Sequence, residues 1–323
     1  MPKELLTKNE EESRKGPPEV YVNLRDLIGL QYEARGFSFL PKYAVQSVLS
    51  GKHRSKLRGR GLDFDEVRKY IPGDDIRNID WKVTARVGET HTKEFTEEKE
   101  RPVFFIVDQS SSMFFGTMVY LKSVVAAQLA AVGCWRTLEV GDRVGGLVFN
   151  DNHIDYIKPR RDRKSVQQYL SLIAKKNQEL RAEKKTNAIK HALNEGLRHS
   201  EEVITHDYLV VVISDLHSFN SESMKSIIRL RKRNDVIIAK VSDPGEEILF
   251  KSNLVISDGE FQTRLSQSQK IRADYAKNFS TKNEDLFTGF KKFGIPYFQV
   301  NTLDSAAKQL REILAGNRKR NGK

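Results

Sequence analysis

Residues 103–112 read VFFIVDQSSS, an unbroken apolar run that ends on a carboxylate and passes into a cluster of serines. A run of that length, apolar at every position, predicts a strand covered on both faces. The pattern repeats downstream. VGGLVF (144–149), DYLVVVISD (207–215), DVIIAKVSD (235–243) and IPYFQVNT (295–302) read as four further buried strands. Between them lie stretches of helical spacing: 118–139, RKSVQQYLSLIAKK (163–176), NAIKHALNEGLRHS (187–200), SMKSIIRLRKR (223–233), a charged stretch at 267–292 bent around Ser280, and SAAKQLREIL (305–314). Strands alternating with helices predict an α/β fold, a mostly parallel, Rossmann-like sheet flanked by helices.

Outward from this block the texture changes. Residues 1–20 are charged and carry Pro17-Pro18, and they read as a flexible tail. Residues 21–50 place apolar side chains at helical spacing, as one or two short helices broken near Gly36. Residues 51–100 hold short alternating pieces, glycines and a turn at Pro72-Gly73-Asp74. The expected organisation is a tail over 1–20, an N-terminal helical and short-strand extension over 21–100 packed on the core, an α/β domain over 101–315, and a basic tail over 316–323.

Composition excludes several classes. Hydrophobic residues make up 38% and charged residues 30%, which is a globular balance. The apolar runs, such as Tyr208–Ile213, fall short of the roughly 20 residues a membrane helix needs. The N-terminus has no apolar h-region, so no signal peptide is expected, and the expected location is the cytoplasm or the periphery of the inner membrane. Cys134, the single cysteine, lies in an apolar helical run and reads as a buried thiol in a reducing compartment. Gly59-Arg60-Gly61 lacks a preceding strand and no GK[ST] follows, which argues against a nucleotide loop.

Net charge is +12, unevenly placed, and residues 158–190 alone hold 11 basic and 3 acidic side chains. That segment suits an acidic partner or an anionic surface. It contains one aromatic, Tyr169, and no nucleic-acid module, which argues against nucleic acid.

Ligands of parallel α/β sheets bind at the strand carboxyl ends. Two strands here end in oxygen donors: Asp108, Ser110 and Ser112 after the first, Asp215 after the third, with Thr186 ahead of a helix between them. Carboxylates and hydroxyls suit Mg²⁺ or Mn²⁺, whereas zinc would ask for His or Cys at ligand spacing. A hydrolase of phosphate esters built on Asp108 would need a second carboxylate at position 110, where this chain has Ser. No catalytic residue is assigned.

The set Asp108, Ser110, Ser112, Thr186, Asp215 resembles the metal-ion-dependent adhesion site of von Willebrand A domains. The resemblance implies that these five side chains hold a divalent ion directly or through water and leave a position open for a partner's carboxylate. A second motif is more specific. Arg58-Gly-Arg-Gly-Leu-Asp-Phe-Asp-Glu-Val-Arg-Lys-Tyr70, then Pro72 to Trp81 (PGDDIRNIDW), then Thr84-Ala-Arg86, is similar to the signature of the MoxR-associated von Willebrand A-like proteins, the fifty-eighth "domain of unknown function" family. That resemblance implies a von Willebrand A-like fold and a protein-binding role beside a MoxR-type AAA+ ATPase or its client. Many members begin with two membrane helices, which this sequence does not show. Asp74, Asp75, Arg77, Asp80 and Arg86 are expected to form a paired-charge network that pins the N-terminal segment onto the α/β domain, with Trp81 part of the same structural signature. Lys184 and Lys185 precede Thr186 directly, so they are expected to meet an acidic partner at the rim of the site.

Overall fold

The computed structural model describes residues 16–34, 62–97, 101–181, 191–248, 255–257, 262–264 and 283–319. Two compact units divide the chain, residues 49–100 forming one and the remainder the other.

The larger unit is built on six strands, β3 (Val103–Asp108), β4 (Val144–Phe149), β5 (Ile154–Arg160), β6 (Leu209–Ser214), β7 (Asp235–Ser242) and β10 (Tyr297–Asn301), while β8 (Val255–Ser257) and β9 (Gln262–Arg264) form a separate antiparallel pair. Their order is β10-β7-β6-β3-β4-β5. Five run parallel, and β5 returns antiparallel along β4 at the edge. β3 lies at the centre and is buried throughout. Its side chains alternate between two cores. Val103, Phe105 and Val107 join one cluster; Phe104 and Ile106 join the other. Each such side chain contributes roughly 1.5–3 kcal/mol on burial, so both faces must be covered.

The first cover consists of α1 (Leu24–Gly29), α3 (Lys122–Glu139), α4 (Arg163–Glu179) and α9 (Ala306–Lys319). The second consists of α5 (Ala192–Val203), α6 (Ser221–Arg231) and α8 (residues 283–292). A single turn, α7 (Gly245–Ile248), follows β7. Cys134 is buried within α3, and no helix among the described residues is long and apolar enough to cross a membrane.

Two differences from the sequence reading concern α3 and β5. α3 begins at Lys122, not near 118, because backbone bonds hold the preceding loop: Tyr120 N donates to Thr302 O (3.0 Å), Leu121 N to Glu19 O (2.9 Å) and Lys122 N to Phe115 O (2.8 Å). β5 was not read from the sequence, and its last three residues open the basic segment. It carries Pro159, which supplies no amide proton and sits at an irregularity of the edge pairing.

α1 belongs to the larger unit and is fixed by polar contacts as well as by Leu27. Trp135 Nε1 donates to Leu27 O (2.9 Å), and Val22 N donates to Asn177 Oδ1 (2.8 Å). Asn177 Nδ2 in turn donates to Gln109 Oε1 (3.0 Å), and Gln109 Nε2 to Ser123 O (2.9 Å). Asn177 is fully buried. Asn177→Ala leaves Val22 N–H and the Gln109 amide oxygen without these partners. The expected cost is about 1–3 kcal/mol, read by urea denaturation. Unchanged stability would show that water or neighbouring groups replace the lost bonds.

The smaller unit pairs β1 (Leu62–Lys69) with β2 (His91–Glu97) antiparallel, and the crossing between them contains a 3-10 turn (Ile76–Asn78) and α2 (Trp81–Val87). The signature acids act locally here. Asp74 takes a bidentate contact from Arg68 (2.7 and 2.8 Å) and accepts from Ile71 N (2.9 Å). Asp75 caps Arg77 N (3.1 Å). Asp80 caps α2 through Lys82 N and Val83 N (both 3.1 Å) and faces Lys93. Arg77 and Arg86 are exposed, and Trp81 is 69% exposed.

Candidate metal centre at the strand carboxyl ends

Adjacent parallel strands bring the two sequence-distant acids together. Val107 pairs with Ile213, so Asp108 and Ser214 end neighbouring strands and Asp215 follows at once. Asp108 is 1% exposed and both its oxygens are engaged: Oδ1 accepts from Ser110 N (2.9 Å), Oδ2 from Ser214 Oγ (2.7 Å). Ser110 Oγ and Ser112 Oγ stand 3.2 Å apart, and Ser111 N donates to Asp151 Oδ2 (2.8 Å). Leu216 adopts φ +59, and its N–H reaches Ser214 Oγ (3.0 Å). Asp215 Oδ1 accepts from His217 N (2.9 Å).

The electrostatics follow from burial. Desolvation, then the nearby Asp215 carboxylate, push the Asp108 carboxyl up to about 7. Burial would raise Asp215 as well, but the Lys122 ammonium outweighs it and holds that carboxyl below the usual range. Lys122 Nζ lies 2.8 Å from Asp215 Oδ2 and 2.6 Å from Glu246 Oε1, and its side chain is 3% exposed. Burial would lower the Lys122 pKa, and the two carboxylates overcome this and raise it.

Of the residues singled out by sequence, Asp108, Ser110, Ser112 and Asp215 lie at this end of the sheet. Thr186, Lys184 and Lys185 lie outside the described residues. Lys122 and Glu246 were not singled out. A signal for Lys122 existed. It occupies the first turn of a helix whose remaining turns are almost wholly apolar, an end where the helix dipole disfavours a cation. Among the described residues no group of three or more His, Cys, Asp and Glu side chains is placed to hold a metal. Any ion here must therefore be taken by two carboxylates supplemented by hydroxyls. The facing Ser110 and Ser112 oxygens fit that requirement, as does a buried Asp108 whose ionisation wants a nearby cation.

Five parallel strands closed by one antiparallel edge strand, with helices on both faces, define an α/β protein of the mostly parallel, Rossmann-like class. Residues 66–285 match the family described as "Protein of unknown function DUF58", and the chain belongs to that family. It is similar to an uncharacterized protein of Mycobacterium tuberculosis, 28% identical over 265 residues that cover 81% of each chain. It is also similar to the uncharacterized protein YeaD of Bacillus subtilis, 36% identical over 76 residues, 21% of this chain and 19% of that one. Among solved structures, the conserved hypothetical protein BatB from Bacteroides thetaiotaomicron superposes with a TM-score of 0.43 and 18% identity, covering 68% of this chain and 98% of that chain. A von Willebrand factor type A protein from Catenulispora acidiphila gives 0.36 and 12%, covering 70% of this chain and 44% of that one.

Proposed function

We propose that this chain is a divalent-metal-dependent protein-binding module, an adaptor for a MoxR-type AAA+ ATPase or its client, and not an enzyme. One observation carries the reading: two buried carboxylates from neighbouring strands, Asp108 and Asp215, share the sheet end with the paired hydroxyls of Ser110 and Ser112. Mg²⁺ or Mn²⁺ would be held by these four residues together with Thr186. The bound ion supplies a Lewis-acidic position for an Asp or Glu of the partner. The chain's own groups favour binding over hydrolysis. A phosphate-ester hydrolase built on Asp108 would need a second carboxylate at position 110, where this chain carries Ser. The MoxR-type partner rests on the family signature at 58–86.

Surface plasmon resonance against the candidate ATPase tests the reading. Asp215→Ala, or EDTA on the wild type, is expected to abolish stable binding. Lys184→Glu/Lys185→Glu is expected to slow association and flatten its salt dependence, because rim charges mainly speed encounter and are screened over about 8 Å at physiological ionic strength. Binding indifferent to both EDTA and Asp215→Ala would place the contact elsewhere.

A further inference from the structure

An ammonium group already sits on one of the two acids that a metal ion would use. Lys122 Nζ contacts Asp215 Oδ2 at 2.8 Å, with both side chains 3% exposed. Its second partner, Glu246 Oε1 at 2.6 Å, is less deeply placed, with a side chain 20% exposed. Glu246 is held from its other side, since Oε2 accepts from Asp243 N (3.2 Å). Asp243 is itself fixed: Thr117 N (2.8 Å), Gly245 N (2.7 Å), and the hydroxyls of Thr117 and Thr302 (both 2.5 Å) all donate to it. The Phe115 ring lies 5.4 Å from Nζ and adds a cation–π contact. Lys122 therefore has two carboxylate seats, one belonging to the candidate metal centre and one outside it on α7, the helical turn after β7.

Nothing in α3 itself asks for a lysine at this point. The N-terminus of a helix disfavours positive charge, and burial disfavours any charge without a partner. Asp215 and Glu246 account for the residue. The same geometry sets up a competition. A divalent ion that engages Asp215 comes close to Nζ, and cations only a few ångströms apart in a poorly solvated site repel strongly. Moving the ammonium wholly onto Glu246 relieves that repulsion without stranding a buried charge.

We propose that Lys122 is the resident counter-ion of this site, occupying Asp215 in the ion-free protein and yielding to a divalent metal by shifting onto Glu246. The inference rests on the metal-dependent reading above and deepens it. Metal affinity is then set by an exchange of cations, and occupancy is coupled to the segment that carries Glu246. A site of this kind stays charge-compensated when empty and responds to changes in free divalent ion instead of holding the ion permanently.

Mn²⁺ titration of the full chain, followed by electron paramagnetic resonance of the free ion, tests this with three variants. Lys122→Met removes the competitor and keeps the stem's volume, and it is expected to tighten Mn²⁺ at least tenfold. Glu246→Gln removes the second seat, so displacement would leave the ammonium without a carboxylate; Mn²⁺ is expected to weaken at least fivefold. Asp215→Asn is expected to lose saturable binding. A purely structural ion pair would lower the melting temperature in the first two variants without moving affinity in opposite directions. Equal Mn²⁺ affinity in the wild type, Lys122→Met and Glu246→Gln overturns the exchange while leaving the metal centre standing. No saturable binding in any of the proteins overturns both. If Lys122→Met fails to fold by circular dichroism, Glu246→Gln decides alone: affinity at or above the wild-type value sinks the proposal.

Discussion

Asp108→Asn is expected to raise the melting temperature of the protein in EDTA at pH 8, and to remove any stabilisation by Mg²⁺ or Mn²⁺. The side chain is almost fully buried at the end of the central strand, and burial together with Asp215 lifts its carboxyl to about 7. In the unfolded chain the same group titrates near 3.9. Between those values the unfolded state has given up the proton and the folded state keeps it. Stability therefore falls as pH rises from about 4 to about 7 and levels off above. Asparagine keeps the acceptor for Ser110 N and can donate an amide proton to Ser214 Oγ, so both local bonds survive. The gain should be several degrees at pH 8 and smaller at pH 5, where much of the wild-type penalty is absent. Thermal denaturation at the two pH values, with and without metal, measures it. A loss of stability equal at both values would show that Asp108 serves packing and hydrogen bonding and carries no ionisation penalty. The expected trade, stability gained where ligand binding is lost, is characteristic of binding sites that hold unfavourable charge.

The parts of this site that could be read in advance are those fixed by strand burial. β3 and β6 are apolar on both faces, so the polar residues at their carboxyl ends stand out: Asp108 closes β3, and Ser214 closes β6 with Asp215 next in the chain. Ser110 and Ser112 follow within a turn of chain. Lys122 carried one signal, its place at a helix N-terminus, but helical periodicity cannot tell a snorkelling lysine from one folded inward; the tertiary partners Asp215 and Glu246 make the distinction. Glu246 sits in a short turn after β7 with no motif of its own. The edge strand β5 was lost for a different reason. Its exposed positions Asp155, Tyr156, Lys158 and Arg160 belong to a solvated face, and Pro159 breaks the alternation that marks a strand. The partners of the acids in 74–86 were not legible in the sequence. Arg68, upstream of the acids, takes Asp74, while Asp75 and Asp80 spend their oxygens on backbone caps.

Gly146→Ala is expected to prevent folding or to cost about 3 kcal/mol or more, the larger effect coming from one added methyl. Gly146 lies on β4 between β3 and α4. A Cβ there would stand 2.5 Å from the Phe105 carbonyl oxygen and from the Tyr169 hydroxyl. Neither neighbour can withdraw cheaply. Phe105 is fully buried on the central strand, paired with Gly146 on one side and Val211 on the other. The Tyr169 hydroxyl is shared between Phe105 O (2.9 Å) and Leu147 O (3.0 Å), so displacing the ring also breaks the polar contact that lets a tyrosine sit in the core. Overpacking of a close-packed interior costs about 1–3 kcal/mol where side chains can yield, and more where backbone must move. Gly29→Ala supplies the control, since a Cβ at that position in α1 meets nothing within 4 Å. Alanine is the better helix former by about 1 kcal/mol, so that variant should be neutral or slightly stabilised. Soluble yield and urea midpoints of the two variants beside the wild type give the comparison. A Gly146→Ala protein as stable as the wild type would mean that β4 and α4 can separate without loss, contrary to the packing of Tyr169 between them.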